Sequence, residues 1–379
     1  MKLLVDENIT FAKEAFSSFG SLKLLNGRSF TNNEVKDADV LIVRSITPVD
    51  KELLKNSKVK FIGTATIGTD HIDLNYLESN KIKFADAKGC NADSVAEYVF
   101  TALLRVASEE KISLKGKTIG VVGIGNIGSR VAKLAKLFGM KVLKNDPPLE
   151  RKGVGQNYVS LNEILDADII TLHVPLSLEG IDKTFHLFNG DNLKKIKPGA
   201  IIINTARGAV INSTDLLEEC AQKNFKLILD VWEDEPLINN NLIERSKVST
   251  AHIAGYSLVG KVNGTKMIYD SLCQYLNIKP TWKPDLPKIE HKDLRVPEGK
   301  TDEERVYKLF ATIYNIQNDD SKLREISKYR LNEQAGYFDK LRKDYPIRRE
   351  FSNYTVHLSH MEMHLKHFLE RFRFKVKIG

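Results

Sequence analysis

Short apolar runs recur along the chain, separated by stretches in which apolar residues return every three or four positions. Nearly continuous apolar runs are typical of strands buried on both faces of a parallel sheet, and the longer spacing is typical of helices packed on such a sheet. In the N-terminal part the predicted strands are 2–5, 40–44, 61–64 and 82–85. The pattern therefore predicts that the chain begins with an α/β domain.

A second series of strands and helices starts after a long helical pattern at residues 94–106. Its predicted strands are 117–122, 141–146, 168–174, 200–204, 226–230 and 248–252. Each of these runs ends in polar residues. Because ligands bind outside the carboxyl ends of strands in an open parallel sheet, we expect those polar residues to converge on one crevice.

The remaining pattern suggests three domains. A helical stretch at 259–276 is expected to return the chain to the first domain. The proline-rich segment 280–287 is expected to be a linker. The predicted boundaries are 1–94 plus 256–286 for the first domain, 95–255 for the second and 287–379 for the third. The third carries helical patterns at 302–315 and 361–372 and strand patterns at 354–358 and 374–378. Its small size favours an assembly module over a second active site.

Composition narrows the class of protein. Of the 379 residues 42% are hydrophobic, which supports real cores, and the net charge of +8 is spread among interspersed acids rather than gathered in a basic block. Nucleic acid is therefore not an expected partner. No apolar run approaches the ~20 residues of a membrane helix, so no membrane partner is expected, and the first residues enter a strand at once, so we expect a cytoplasmic protein. Three distant cysteines, Cys90, Cys220 and Cys273, indicate ordinary thiols.

The most informative segment is the glycine-rich turn that follows the strand at 117–122. Gly123 allows a tight turn, Gly125 lets the main chain approach a pyrophosphate, and Gly128 lets the next helix, at 129–139, pack closely. Asn126 and Ile127 complete the turn, whose helix N-terminus faces the phosphates. The segment predicts a bound dinucleotide.

Asp146 ends the next strand, eighteen residues beyond Gly128. This is close to the ~20 expected for the carboxylate that binds the adenosine ribose, and its charge would repel a 2′-phosphate. The position favours NAD over NADP, whereas the nearby Lys144 weakens that preference. The alternative is that Asp146 only caps a turn before Pro147 and Pro148.

The strand ends also supply groups suited to hydride transfer. His252 is a suitable base because imidazole titrates near neutrality, and Glu235 could orient it. The planar fork of Arg207 suits a substrate carboxylate. Taken singly, each could be an ordinary polar residue at a strand end. Their joint appearance after consecutive strands of a dinucleotide sheet favours a catalytic site.

Four segments, 123–128, 204–208, 229–236 and 252–255, resemble the D-isomer-specific 2-hydroxyacid dehydrogenases. The resemblance implies a Rossmann-type doubly wound parallel sheet for the cofactor domain and a flavodoxin-like α/β substrate domain. It also implies that Arg207, Glu235 and His252 are catalytic, with His252 the general acid/base. The implied NAD contacts, besides the glycine turn, are Asp146, Val174, Thr205, Ala206, Arg207, Asp230 and Gly255.

Further segments resemble one branch of that family over nearly the whole chain: 1–8, 43–45, 63–71, 89–91, 252–257, 338–345 and 348–350. The implied reaction is NAD-dependent oxidation of 4-phospho-D-erythronate at C2, on the route to vitamin B6. The implied substrate contacts are Ser45, Thr66 and Tyr256, and the small α+β C-terminal domain is implied to form a homodimer. For the substrate phosphate we consider Arg44, with Arg348 or Arg349 reaching across a dimer.

Two other functions stay open at this point. The substrate could be another phosphorylated D-2-hydroxyacid, such as 3-phosphoglycerate, or the chain could be an NAD-sensing binding protein that acts through partners. Asn145, Ala251 and Val174 depart from the broader family pattern and affect the details of cofactor contacts. Four histidines near the C-terminus are expected to be solvated rather than to bind a metal: His357, His360, His364 and His367.

Overall fold

The computed structural model describes all residues, 1–379. The backbone forms two compact units, residues 1–91 with 257–289 and residues 92–256 with 290–379. The predicted Rossmann segment and the C-terminal segment thus fall in the same unit, and the division into three domains stays a prediction. No helix combines the length and the apolar character needed to span a membrane.

The first unit is built on a five-stranded parallel sheet in the order β2-β1-β3-β4-β5. This is the flavodoxin-like order, which confirms the fold implied for the substrate domain. β2 was not predicted, because it is an edge strand with no fully buried residue. The strands are β1 Lys2–Asp6, β2 Ser21–Leu25, β3 Val40–Val43, β4 Phe61–Thr64 and β5 Lys83–Asp86.

The second unit contains a six-stranded parallel sheet in the order β11-β10-β9-β8-β6-β7. A parallel bridge between Lys144 and Tyr158 adds a further extended segment beside β7, which completes the strand order of a Rossmann sheet. The order in which the chain adds strands reverses between the neighbouring strands β6 and β8. Ligands bind at such a topological switch point. The strands are β6 Thr118–Val122, β7 Lys141–Asn145, β8 Ile169–Leu172, β9 Ile201–Asn204, β10 Lys226–Leu229 and β11 Ser246–Ser249.

The C-terminal part of the second unit has its own three-stranded parallel sheet, β12 Asp293–Arg295, β13 Thr355–Leu358 and β14 Lys375–Ile378. The strand patterns at 354–358 and 374–378 are confirmed, whereas the short β12 was missed. Aromatic side chains join this part to the Rossmann part. Phe138 lies 5.0 Å from Phe368 and Phe100 lies 5.4 Å from Phe372, measured between ring centroids.

The helices cover the faces of the three sheets and begin at local capping residues. Asn212, for example, accepts main-chain hydrogen bonds from the first turn of α10, and Ser257 does the same for α12. In chain order the helices are α1 Ala12–Phe16, α2 Asn32–Val35, α3 Lys51–Leu54, α4 Leu74–Ser79, α5 Ala92–Glu109, α6 Asn126–Ala135, α7 Pro147–Arg151, α8 Leu161–Leu165, α9 Gly190–Leu193, α10 Ser213–Lys223, α11 Asn240–Arg245, α12 Leu258–Tyr275, α13 Asp302–Ile313, α14 Ile316–Arg324, α15 Leu331–Lys343 and α16 Lys366–Arg371.

Candidate active site

The glycine turn between β6 and α6 has the geometry that a pyrophosphate requires. Gly123 has a φ of 87°, and a Cβ there would lie 2.7 Å from the carbonyl oxygen of His173. A Cβ on Gly128 would lie 1.8 Å from the carbonyl oxygen of Gly123, so α6 packs directly on the turn. A Cβ on Gly125 would meet nothing within 4 Å. The turn thus opens onto free space at the N-terminus of α6, where main-chain N–H groups favour an anion.

Asp146 lies beside this turn and caps the helix that follows it, while its contact with the adenosine ribose stays a prediction. Its Oδ2 accepts a hydrogen bond of 2.7 Å from Ile124 N, and its Oδ1 accepts one of 3.0 Å from Leu149 N, which caps α7. Lys144 is engaged elsewhere, because its Nζ donates to Gln156 O and lies 5.2 Å from the centroid of the Tyr158 ring. The Asp146 carboxylate, rather than the Lys144 ammonium group, therefore lies next to the glycine turn.

His173, which sequence reasoning missed, follows β8 and links two strand ends. Its Nε2 lies 2.9 Å from Thr171 Oγ1, and its Nδ1 lies 3.3 Å from Thr205 Oγ1. Burial lowers the pKa of His173 to about 3, so the imidazole is neutral at physiological pH. The next residue, Val174, lies against the glycine turn, since its Cγ1 would be 2.9 Å from a Cβ on Gly123.

Arg207 lies in a turn that β9 and a neighbouring loop hold in place. Asn204 Oδ1 accepts a hydrogen bond of 3.0 Å from Ala206 N, and Asn204 Nδ2 donates one of 3.0 Å to Arg207 O. A Cβ on Gly208 would lie 1.9 Å from the carbonyl carbon of Trp232. Only glycine permits this approach, which packs the Arg207 turn against the loop that carries Glu235.

Glu235 and His252 form a hydrogen-bonded pair, with 2.7 Å between Glu235 Oε2 and His252 Nδ1. Glu235 Oε1 accepts a second hydrogen bond, of 2.9 Å, from Trp232 N. Burial opposes ionisation of Glu235, but the interactions with His252, Trp232 N–H and Arg342 outweigh it and lower the pKa of the carboxyl group. Glu233 is engaged differently, 2.6 Å from His186 Nε2.

Asp230 fixes the main chain around His252. His252 has a φ of 55° and its N–H donates to Asp230 O at 2.7 Å. The Asp230 carboxylate is buried and accepts hydrogen bonds from Thr250 Oγ1, Ile253 N and Ala254 N at 2.6, 2.8 and 2.9 Å. The structure gives Asp230 a supporting role, and its contact with NAD, like that of Gly255, stays a prediction.

Arg342 on α15 is a second residue that sequence reasoning missed. Its guanidinium carbon lies 5.8 Å from the centroid of the Tyr256 ring and 6.0 Å from that of Phe338. Burial alone would lower the pKa of Arg342, but charge interactions with Tyr256 and Glu235 and a hydrogen bond to Tyr256 raise it. The only signal in the sequence was its place within the resembling segment 338–345.

Arg348 supports the same loop from within the chain. Its Nη2 donates a hydrogen bond of 2.5 Å to Ala254 O, and its guanidinium carbon lies 4.3 Å from the centroid of the Tyr314 ring. Arg349 is also buried. A contact of either arginine across a dimer stays a prediction.

The predicted substrate residues of the first unit lie at neighbouring strand ends. Ser45 follows β3 and Thr66 follows β4, and these strands pair in parallel. Thr66 Oγ1 lies 2.7 Å from Thr64 Oγ1. Arg44 Nε donates to the buried carboxylate of Asp6 at 3.0 Å. The substrate contacts of Ser45, Thr66 and Arg44 stay predictions.

Two of the C-terminal histidines have carboxylate partners. His357 lies on β13, with Nε2 2.9 Å from Asp293 Oδ1, and His364 lies in a 3-10 turn, with Nε2 3.0 Å from Asp302 Oδ2. These histidines therefore do not share one helix face.

Comparison with protein families gives two matches. Residues 92–254 match the family model described as D-isomer specific 2-hydroxyacid dehydrogenase, NAD binding domain. Residues 286–369 match a domain of unknown function. The first match contains the glycine turn, Arg207, Glu235 and His252, and it establishes an NAD-binding domain.

Solved structures share this fold. A D-lactate dehydrogenase from Aquifex aeolicus, complexed with NAD and lactic acid, is 28% identical, with a TM-score of 0.59 over 73% of this chain and 96% of its own. An NAD⁺-bound 3-phosphoglycerate dehydrogenase of Entamoeba histolytica is 27% identical, with a TM-score of 0.63 over 73% of this chain and 95% of its own.

Curated relatives match over almost the full length of the chain. An erythronate-4-phosphate dehydrogenase of Shewanella baltica (strain OS185) is 44% identical over 357 residues, which cover 93% of both chains. The enzyme of the same name from Proteus mirabilis (strain HI4320) is 41% identical over 360 residues, 94% of both chains. The chain therefore belongs to the erythronate-4-phosphate dehydrogenase family, within the NAD-dependent D-isomer-specific 2-hydroxyacid dehydrogenases.

Proposed function

We propose that this protein oxidises 4-phospho-D-erythronate at C2 with NAD, yielding (R)-3-hydroxy-2-oxo-4-phosphooxybutanoate in the synthesis of pyridoxal 5′-phosphate, the active form of vitamin B6. The observation that carries the chemistry is the 2.7 Å hydrogen bond between Glu235 and His252, in the same unit as the glycine turn. The names of the relatives at 41–44% identity support the choice of substrate.

His252 is the proposed base. Because Nδ1 of His252 bonds to Glu235, Nε2 is left to accept the proton of the C2 hydroxyl group. As the C–H electron pair leaves C2 as hydride, the C2–O bond becomes a carbonyl and His252 becomes charged. Glu235, which is held ionised, offsets that charge. NAD, when bound, supplies the hydride acceptor.

Arg207 is proposed to hold the substrate carboxylate and to polarise the adjacent C2 oxygen. The turn formed by Asn204 and the close approach at Gly208 place it next to the Glu235 loop. A guanidinium fork suits this role because a carboxylate offers two oxygens in one plane.

The cofactor is proposed to lie along the strand ends of the second unit. The glycine turn, made by Gly123, Gly125, Asn126, Ile127 and Gly128, would hold the pyrophosphate. Each Asp146 oxygen accepts one main-chain hydrogen bond, so the carboxylate keeps acceptor capacity for the ribose hydroxyls. The remaining proposed contacts are Val174, Thr205, Ala206, Arg207, Asp230 and Gly255.

For the substrate we retain Ser45, Thr66, Tyr256 and Arg44 as proposed contacts. We also propose three domains with the boundaries 1–94 plus 256–286, 95–255 and 287–379, a homodimer formed through the third of these, and a cytoplasmic location. Light scattering of the purified protein tests the dimer, because a monomer would have the 42.9 kDa mass of one chain.

A spectrophotometric assay tests the activity. With NAD and 4-phospho-D-erythronate the protein is expected to produce NADH, and the His252→Asn variant is expected to be ~10²–10⁴-fold slower, the usual loss when a general base is removed. A His252→Asn enzyme within threefold of the wild type would contradict the mechanism. Absence of NADH formation by the wild type would contradict the substrate.

A second candidate substrate is 3-phosphoglycerate, favoured by the structural likeness to the Entamoeba histolytica enzyme. That chain accounts for 73% of the present one, whereas the erythronate-4-phosphate dehydrogenases account for 93–94%. An NAD-sensing role without catalysis is disfavoured by the hydrogen-bonded Glu235 and His252. A higher kcat/KM for 3-phosphoglycerate in the same assay would decide for the second candidate.

A further inference from the structure

Arg342 is a cationic residue of the C-terminal part of the chain that lies near the proposed catalytic pair, Glu235 and His252. It lies near the end of α15, in the segment that matches the domain of unknown function rather than the NAD-binding domain. Its guanidinium group packs beside the ring of Tyr256, four residues after His252, and interacts electrostatically with Glu235. A residue about a hundred positions away in sequence thus lies at the candidate active site.

The surroundings of Arg342 hold its guanidinium group in place and leave one donor open. The rings of Tyr256 and Phe338 lie 5.8 and 6.0 Å from its central carbon, and the Tyr256 ring is in turn held edge-on by Tyr345, at 5.8 Å between centroids. The Nε of Arg342 is buried and has no hydrogen-bond partner. A buried N–H donor of a charged group without an acceptor is costly, so this position favours an anionic ligand.

Other arginines considered for this task already bind groups within the chain or have another proposed role. Arg44 donates to Asp6, whose carboxylate is fully buried. Arg348 also has a buried donor without a partner, its Nη1, but its side chain is buried against Tyr314 and its Nη2 donates to Ala254 O. Arg207 belongs to the loop next to Glu235 and is proposed to take the carboxylate. Arg342 combines an open donor with a position beside Tyr256 and an electrostatic interaction with Glu235, and this combination fits a second anionic group.

We propose that Arg342 is a specificity-determining substrate residue that binds the phosphate group of the substrate, while Arg207 binds the carboxylate. This assignment rests on the proposed function. It gives the C-terminal part of the chain a direct role in substrate choice. Lactate has no phosphate group and needs no such receptor, and the D-lactate dehydrogenase structure covers only 73% of this chain.

The test compares wild type, Arg342→Gln, Arg342→Lys and a control, Lys343→Gln, which removes an exposed cation from the next position of the same helix. For each protein kcat/KM is measured with 4-phospho-D-erythronate and with unphosphorylated D-erythronate. The ratio of the two values is expected to fall about 10- to 100-fold in Arg342→Gln, the range of a charged hydrogen bond. Arg342→Lys is expected to recover part of the ratio, and Lys343→Gln to keep the wild-type ratio.

An unchanged ratio in Arg342→Gln, whether both values fall equally or neither falls, would overturn the proposal. So would an equal fall in Lys343→Gln, which would indicate attraction by general surface charge. Thermal unfolding of each variant shows whether the chain is folded.

A binding measurement separates this proposal from the proposed function. Inorganic phosphate is titrated by calorimetry into the NADH-saturated wild type and into Arg342→Gln. Weaker phosphate binding by the variant, by about tenfold or more, supports the phosphate site even if the wild type does not oxidise 4-phospho-D-erythronate, which would refute only the function. Equal binding by both proteins overturns the phosphate site.

Discussion

His173 shows at the residue scale how burial determines a charge state. The ordinary pKa of histidine is about 6.5, whereas burial lowers that of His173 to about 3 in the folded chain. Between these values the unfolded chain binds a proton that the folded chain does not. The contribution of His173 to stability is therefore retained above pH 6.5 and is lost progressively as the pH falls towards 3.

We predict that the His173→Asn variant lacks this pH dependence. The free energy of unfolding of the wild type, relative to the variant, should fall by about 1.4 kcal/mol for each pH unit below pH 6. Thermal midpoints of both proteins between pH 5 and 8 measure this. Parallel midpoints over that range would show that His173 has the same pKa in the folded and unfolded chains, which would contradict the prediction.

The residues proposed for catalysis and substrate binding differ in how readily the sequence predicts them. Arg207, Glu235 and His252 each follow a strand of one parallel sheet, so topology alone brings them to one edge. Arg342 reaches Tyr256 only through tertiary packing of α15, and no periodicity or spacing signals that approach. The double use of the Asp146 carboxylate, as a helix cap and beside the glycine turn, likewise needed coordinates, because it depends on which N–H each oxygen faces.

At the scale of elements, the site depends on the close approach of two loops. A Cβ on Gly208 would lie 1.9 Å from the carbonyl carbon of Trp232 and 2.2 Å from Glu233 N. The main-chain atoms of Trp232 and Glu233 would have to move to relieve this overlap. We predict that Gly208→Ala separates the Arg207 turn from the Glu235 loop and lowers kcat/KM at least 100-fold, since small displacements of catalytic groups are costly.

Gly336→Ala is the matched control for this prediction. Gly336 lies within α15, where a Cβ would meet nothing within 4 Å, so alanine is expected to stabilise the helix by roughly 0.5–1 kcal/mol without changing activity. Steady-state kinetics and thermal unfolding of both variants provide the comparison. If Gly208→Ala kept wild-type kinetics, the two loops would not position the catalytic groups as argued.

Strongly buried strands were predicted, as was the exposed edge strand β14, whereas two other exposed edge strands were missed. The predicted strand 61–64 is observed without change as β4, whose four residues are all buried. The strands β2 and β12 lie at sheet edges and are mostly exposed, so they lack an apolar run. The segment at Tyr158 pairs through a single bridge, which composition does not indicate.

At the scale of the whole molecule, the C-terminal residues 290–379 complete the core of the second unit. Phe100, Phe138 and Tyr98 pack against aromatic side chains of this segment. Asp320 on α14 is buried and binds Arg105 Nη1 at 3.1 Å and Ser249 N at 2.9 Å. The segment thus satisfies a buried guanidinium group as well as covering apolar surface.

We predict that a chain ending at residue 289 does not fold stably. Re-exposing three large aromatic side chains costs up to about 9 kcal/mol, and leaving Arg105 without Asp320 costs about 3–5 kcal/mol more. Together these losses are comparable to the ~5–15 kcal/mol that stabilises a typical domain. The truncated chain is expressed alone in one culture and together with residues 290–379 as a separate chain in a second culture. Soluble yield and thermal unfolding are measured for both. A truncated protein that is soluble and unfolds cooperatively near the wild-type temperature would contradict the prediction, because the Rossmann sheet would then be stable without residues 290–379. Recovery of soluble protein on co-expression would show that packing, rather than chain connectivity, stabilises the sheet.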